Sequence, residues 1–419
     1  MLKLDTHGYS AAVLQKIVEA GGQLKSFDLA SEMLGLLAEF SISAMHVARV
    51  TEEIGTELAR ARDQHTEEWT HYRAEPEANT APEAVAVCVD GGRIMTRAPG
   101  HGRGVHERGW KEDKVACLHT LSGPTFEQDP HPAPPRCFLD PEHVQELTRD
   151  LKAQKQLPGC DGELPGKQCT SMPATKELRP PAEEAWPPKR EVRTCVATMA
   201  DSDQFGRMVA AEAHRRNFQA AGRRAFLADG LLYNWTIHRK WFKEYEPITD
   251  FIHPLAYLYS AAGAVSENEA IRWQRYVEWV TACWQGRIAE VIEAIQGHRD
   301  RLQPIKSEET PLPSDPRVVL DATLRYLGNN QPRMDYPRYR RIGLPVTSCA
   351  VESLIKEINH RVKGTEKFWN RPDNAEAILQ IRAVLLGDDH RLARHLAARP
   401  GHPYRRRRSL QNGKLALAA

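Results

Sequence analysis

The chain has 419 residues, with 57 Lys and Arg against 55 Asp and Glu and a formal net charge of +2. That length predicts two or three domains, each able to bury a core without disulfides or a structural metal. No apolar run reaches the ~18 residues of a membrane helix and the first residues lack a basic-then-apolar leader, so no membrane partner and a cytoplasmic, nucleoid-associated location are expected.

Eight cysteines stand at positions 88, 117, 137, 160, 169, 195, 283 and 349 with no two in CxxC spacing. Reduced, mostly buried thiols are the expectation. Cys160 and Cys169 could take a metal with nearby histidines, but nothing in their spacing demands it. The near-zero net charge argues neither for nor against a polyanionic partner. Its distribution says more: residues 331–410 hold 17 basic against 8 acidic residues, including the run Arg405 to Arg408. Such an excess suits a phosphate backbone, and a solvated basic tail would look the same.

Residues 1–72 read as helices. Ser26 precedes an apolar-periodic run to Phe40, and Ser43 precedes a second from Met45 to about Leu58. The short connection between them suits a helix-turn-helix, whose second helix would offer His46, Arg49, Glu52 and Arg60 to a major groove. Any amphipathic helical pair gives the same pattern. Residues 73–83 lack periodicity and carry prolines, which predicts a linker.

From 84 the pattern changes to strands. Ala84 to Val89 is a Val-rich run ending in Asp90-Gly-Gly, and Lys114 to Leu121 could pair with it. A helix from about Pro141 to Lys152, capped by Asp140, is followed by a proline-rich surface excursion over 153–190. Val192 to Ala200, Asp203 to Phe218 and Arg224 to Ala228 then read as strand, helix and strand, which implies parallel pairing, and the last ends at Asp229-Gly. A helix over Asn234 to Phe242 leads to Ile248 to His253. Residues 254–340 read as a mostly helical insertion, in which Trp273, Trp279 and Trp284 fall at packing positions. Residues 341–385 resume the core, with an amphipathic helix from about Cys349, and 386–419 form a basic tail.

Two strands that each end in Asp-Gly, at Asp90 and Asp229, and a Glu352 in the first turn of a helix can bring three carboxylates together. Side chains at the carboxyl ends of neighbouring parallel strands converge on one crevice. An all-oxygen cluster suits Mg²⁺, with Mn²⁺ as a substitute, better than zinc. Two such ions would serve in-line phosphoryl transfer without a covalent nucleophile. Each acid alone has a plainer reading, as a turn residue or a helix-dipole partner.

The segments VDGGR at Asp90, FLADG at Asp229, DFIH at 250–253 and SCAVESLIKEINHRVKGTEKFW from Ser348 to Trp369 resemble the bacterial insertion-sequence DDE transposases of the ISKra type, within the Mutator-like group. The similarity spans roughly residues 85–385. It implies an α/β, ribonuclease-H-like mixed-sheet core over 84–253 and 341–385, interrupted by the helical insertion and preceded by the helical domain. It also implies that Asp90, Asp229 and Glu352 are catalytic metal ligands for two ions. Asp250 and His253 match the Asp-x-x-His element near the site, although a local hydrogen-bonded pair is the alternative. A basic residue is missing seven positions after Glu352, where Asn359 stands. Lys356 and Lys363, on the face of Glu352, together with Arg361 and Lys367, are candidates to hold DNA instead. Arg93 could reach a phosphate at Asp90, and Trp369 could stack on an unpaired base, though an exposed strand Arg and a packed Trp are the plainer readings. The implied activity is Mg²⁺-dependent cleavage and strand transfer at the ends of the element. Double-stranded DNA would be the partner and the working form at least a dimer. A nuclease without strand transfer and a catalytically inactive DNA-binding repressor are the alternatives.

Overall fold

A computed structural model of the chain describes residues 4–97, 108–155, 186–305, 309–347, 357–358, 361–362, 369 and 371–400. Glu352, Lys356, Lys363, Lys367, Cys160, Cys169 and the run Arg405 to Arg408 lie outside the described residues.

The centre is a mixed sheet of β1 (Ala84–Arg97), β2 (Arg108–Ser122), β3 (Lys189–Thr198), β4 (Arg223–Ala228) and β5 (Glu246–Thr249), in the order β3-β2-β1-β4-β5. The expected β1–β2 pair forms, antiparallel, with Ala84 opposite Leu121. β4 pairs in parallel with β1 and β5 with β4, while β3 pairs antiparallel with β2. The alternation of strand, helix and strand around Asp203 therefore places β3 and β4 in one direction but not side by side. β1 and β2 lie between them.

Both faces of the sheet are buried, as its near-continuous apolar runs require. Val85, Val87, Val89 and Phe226 face α5 (Ser202–Arg215) and α6 (Leu232–Trp241), where Phe205, Val209, Trp235 and Ile237 fill the space. Ala86, Cys88, Cys117, Leu227 and Ile248 face the helical block that follows β5. That block comprises α7 (Ile252–Val265), α8 (Glu269–Trp284), α9 (Ile288–Asp300), α10 (Pro316–Asn330) and α11 (Tyr336–Arg341). Trp279 and Trp284 are buried in it and Trp273 packs against it, so the tryptophans do act as packing. Cys88, Cys117, Cys195 and Cys283 are buried thiols, as expected. The helix expected after Asp140 is α4 (Pro141–Lys155), with Asp140 Oδ1 accepting from the His143 amide at 2.8 Å.

Three helices precede the sheet: α1 (Ala11–Gln23), α2 (Phe27–Ala38) and α3 (Ala44–Thr70). Ser26 and Ser43 cap α2 and α3 by accepting from the Leu29 and His46 amides. Their core also contains Ile381 of α12 (Pro372–Leu385) and Leu392 and Leu396 of α13 (Arg391–Ala398). The α3–α12 contact is close: a Cβ on Gly55 would stand 2.2 Å from the Ala377 carbonyl oxygen. Arg399 seals the edge by pairing with Glu53 and Glu57 at 2.8 Å and Asp5 at 3.4 Å. Among the described residues no helix is long and apolar enough to cross a membrane.

Candidate active site at the strand ends

The last paired row of the parallel half joins Val89 to Ala228 and Ala228 to Thr249. The next residue on each strand is an aspartate, so Asp90, Asp229 and Asp250 form one row, with backbones about 4.8 Å apart. The Asp250 amide donating to the Ala228 carbonyl at 3.0 Å holds that row in register. Cys88, Leu227 and Ile248 face the helical block. Two positions on, alternation turns all three aspartates to the same side. Asp229 and Asp250 are buried, at 4% and 1% exposure.

Asp90 departs from the expectation in one respect. The strand does not end at its Asp-Gly; β1 runs on to Arg97, paired with β2 from Arg108. The carboxyl end at this point belongs to β4. Gly91 is needed for proximity, because a Cβ there would stand 3.0 Å from the Tyr233 hydroxyl. Asp90 Oδ1 accepts from the Gly91 amide at 2.7 Å.

Asp229 does end its strand. Its Oδ1 accepts from the Leu231 amide at 2.9 Å and from Asn234 Nδ2 at 3.0 Å, which fixes the carboxylate at the start of α6. Among the described residues no hydrogen bond reaches Oδ2, and no Lys, Arg or His pairs with Asp229. Burial pushes the Tyr233 phenol far above its ordinary range, and the negative charges of Asp229, Asp90 and Glu112 push it further. The hydroxyl therefore keeps its proton at the edge of this acidic group.

Asp250 and His253 stand together, with His253 Nε2 4.0 Å from Asp250 Oδ2 and the His253 amide donating to the Asp250 carbonyl at 3.1 Å. The burial-raised thiol of Cys88 is pushed further by the charge of Asp250. Asp250 is thus a member of the row, where the sequence pattern offered it only a supporting place. Among the described residues, no three carboxylate, histidine or cysteine side chains converge on a single ion.

The expected DNA contacts divide. Arg93 is exposed on β1, and Arg49 and Arg60 are exposed on α3, about three turns apart. Arg361 is a correction: it is 3% exposed, its Nε donates to the Gly21 carbonyl at 2.9 Å, and its guanidinium lies 4.3 Å over the Phe27 ring. Burial, aided by Arg382, pulls its pKa down to about 10. It closes the end of α1 rather than facing solvent, because the Gly21 carbonyl and the Phe27 ring cover it, and local periodicity carries no signal of such distant neighbours. Trp369 is half-buried, with Nε1 donating to the Val362 carbonyl at 2.9 Å and its backbone bridging Thr96, so packing accounts for it.

Two cations escaped the sequence reading. Arg333 stacks 4.4 Å over the buried Trp235 ring, and Arg239, one turn after Trp235 on α6, is exposed. Burial and the neighbouring Arg239 lower the Arg333 pKa. No carboxylate pairs with either among the described residues. Only the i, i+4 spacing of Trp235 and Arg239 could have signalled it.

No family model matches the chain, and no curated protein matches it.

Proposed function

We propose that this chain is a DNA transposase of the ISKra type, using Asp90, Asp229 and Glu352 on a ribonuclease-H-like core to cut the ends of its element and join them to target DNA. The observation that carries this reading is the aspartate row at the ends of β1-paired β4 and β5, in which buried Asp229 has no basic partner among the described residues. An uncompensated buried carboxylate is costly unless a cation meets it. The mixed sheet and the helical block between β5 and residue 341 are what the reading requires of the fold.

The donor set fits a hard divalent ion, being all oxygen, with Asp229 Oδ2 left over from internal hydrogen bonding. Asp90 and Asp229, with Glu352, would hold Mg²⁺ or Mn²⁺. Held there, such ions would supply Lewis-acid activation of a water or 3′-hydroxyl and would offset charge on the leaving oxygen. The chain's own groups then position the duplex. The protonated Tyr233 hydroxyl can donate to a phosphate oxygen at the rim of the row. Arg93, Arg239 and Arg333 can neutralise backbone phosphates, which contributes affinity without reading sequence. Bringing two ends together calls for at least a dimer.

The test is cleavage of labelled DNA carrying the flanks of the chain's own reading frame, with Mg²⁺ and with Ca²⁺. Asp90→Asn, Asp229→Asn and Glu352→Gln should each lower cleavage by about 100-fold or more in Mg²⁺, with little further loss on combination and with end binding in Ca²⁺ retained. Cleavage at the unsubstituted rate by all three variants would end the assignment. Nicking without joined product would leave a nuclease.

A further inference from the structure

The helical block reaches the turn after β4 through α10. Gly230 has φ +99°, and a Cβ there would stand 2.8 Å from both Asn330 Nδ2 and the Tyr326 ring. The Asp229-Gly230 turn is therefore pressed against α10 with no room for a side chain, in a backbone conformation that favours glycine. Tyr326 Oη donates to the Asp229 carbonyl at 2.9 Å, across 97 residues of sequence. Asn330 ties in the next element: its Oδ1 accepts from Trp235 Nε1 of α6 at 3.1 Å, and its Nδ2 donates to the Tyr326 carbonyl at 3.0 Å. On its other side the Tyr326 ring stacks on Tyr257 of α7, with centroids 4.0 Å apart and planes 12° apart. α7 begins at Ile252, two residues after Asp250.

We propose that α10 is a clamp on the Asp229 turn, with Tyr326 and Asn330 as positioning residues that set the Asp229 carboxylate for a divalent cation. The proposal rests on the reading of Asp229 as a metal ligand given above. Asp229 is held on two sides. Leu231 and Asn234 fix Oδ1 from α6, and Tyr326 fixes the main chain from α10. The Tyr257 stack joins the same helix to the Asp250 end of the row. The helical block is thus part of the site's geometry, because the β4 turn alone supplies only the α6 half of the support. Outer partners of this kind commonly decide metal affinity.

The experiment uses the full chain and measures Mn²⁺ binding from the free-ion electron paramagnetic resonance signal, together with melting temperature and the Mg²⁺ dependence of cleavage. Tyr326→Phe keeps the ring and its stack and removes only the hydroxyl. Tyr276→Phe is the matched control, since Tyr276 Oη also donates from a buried ring to a backbone carbonyl, that of Phe138 at 2.8 Å rather than that of a row aspartate. Tyr326→Phe should weaken Mn²⁺ binding by about tenfold and raise the Mg²⁺ needed for half-maximal cleavage by a similar factor. At saturating Mg²⁺ its rate should recover. Tyr276→Phe should lower the melting temperature by a comparable amount and leave Mn²⁺ affinity unchanged. Unaltered Mn²⁺ affinity in Tyr326→Phe, or equal losses in the two variants, overturns the clamp while leaving the metal site standing. Equal Mn²⁺ binding by the unsubstituted chain and Asp229→Asn removes the metal site itself, and the clamp with it.

Discussion

Two buried acids in this molecule are treated in opposite ways. Glu212 of α5, 4% exposed, meets Arg215 at 2.7 and 3.0 Å and Arg391 at 2.8 Å, and Arg215 in turn reaches Glu77 and Asp389. Although burial alone would raise it, the two guanidiniums hold the Glu212 carboxyl far below the usual range. Asp229, equally buried, is given an amide, a carboxamide and a phenol-anchored main chain, and no cation among the described residues. Where the fold needs a charge only for architecture it supplies the counter-charge itself. Under the function proposed above, the counter-charge at Asp229 would come from a bound cation.

The same acid-to-amide change should therefore have unlike consequences. Glu212→Gln, which leaves Arg215 and Arg391 buried beside a neutral group, should cost about 3–5 kcal/mol in metal-free urea unfolding. Asp229→Asn should be neutral within about 1 kcal/mol, or stabilising, because it removes a buried charge without stranding a partner. An equal cost at both positions would break the contrast. Added Mn²⁺ sharpens it: at a hundred times its dissociation constant it should stabilise the unsubstituted chain and Glu212→Gln by about 2.7 kcal/mol each, and Asp229→Asn not at all.

Acid supplies a further separation. His119 is buried among Arg190, Arg193 and Arg216, and its pKa is lowered, by burial first, from 6.5 to about 3. The unfolded chain takes up this proton before the folded one does, so stability present above 6.5 is lost as pH falls, by about 2 kcal/mol at pH 5. The depressed Glu212 adds a second loss below its ordinary value of 4.5, as the unfolded carboxylate protonates first. Melting curves should show both arms, with only the lower one missing in Glu212→Gln. The smallest effect belongs to the rim: Arg239→Ala or Arg333→Ala should each reduce the salt slope of DNA binding by about 1, equally for element ends and unrelated duplex. A slope change confined to one sequence would make them base readers.

The meeting of Asp90 with Asp229 was legible because each follows a short apolar run and parallel neighbours align their ends. That β1 continues past Asp90 was not, since Gly91-Gly92 reads as a turn until the Tyr233 hydroxyl is seen beside it. The partner of β4 was equally hidden: local alternation fixes strand direction, whereas β1, more than a hundred residues earlier, won the pairing. Ser26, Ser43 and Asp140 announced their helices because capping is a local hydrogen bond. Tyr326, Asn330 and the inward turn of Arg361 depend on contacts between distant segments, for which periodicity carries no signal.

The shared core of α1–α3 with α12 and α13 has a consequence for synthesis. Ile54 and Leu58 find Ile381 only after some three hundred further residues have left the ribosome, which at ~5–20 residues per second takes tens of seconds. Through that interval the apolar surface that Ile381, Leu392 and Leu396 cover stays open on the first helices. A ribosome that stops short of Leu392 and Leu396 releases a product whose earliest segment is the part left unfinished.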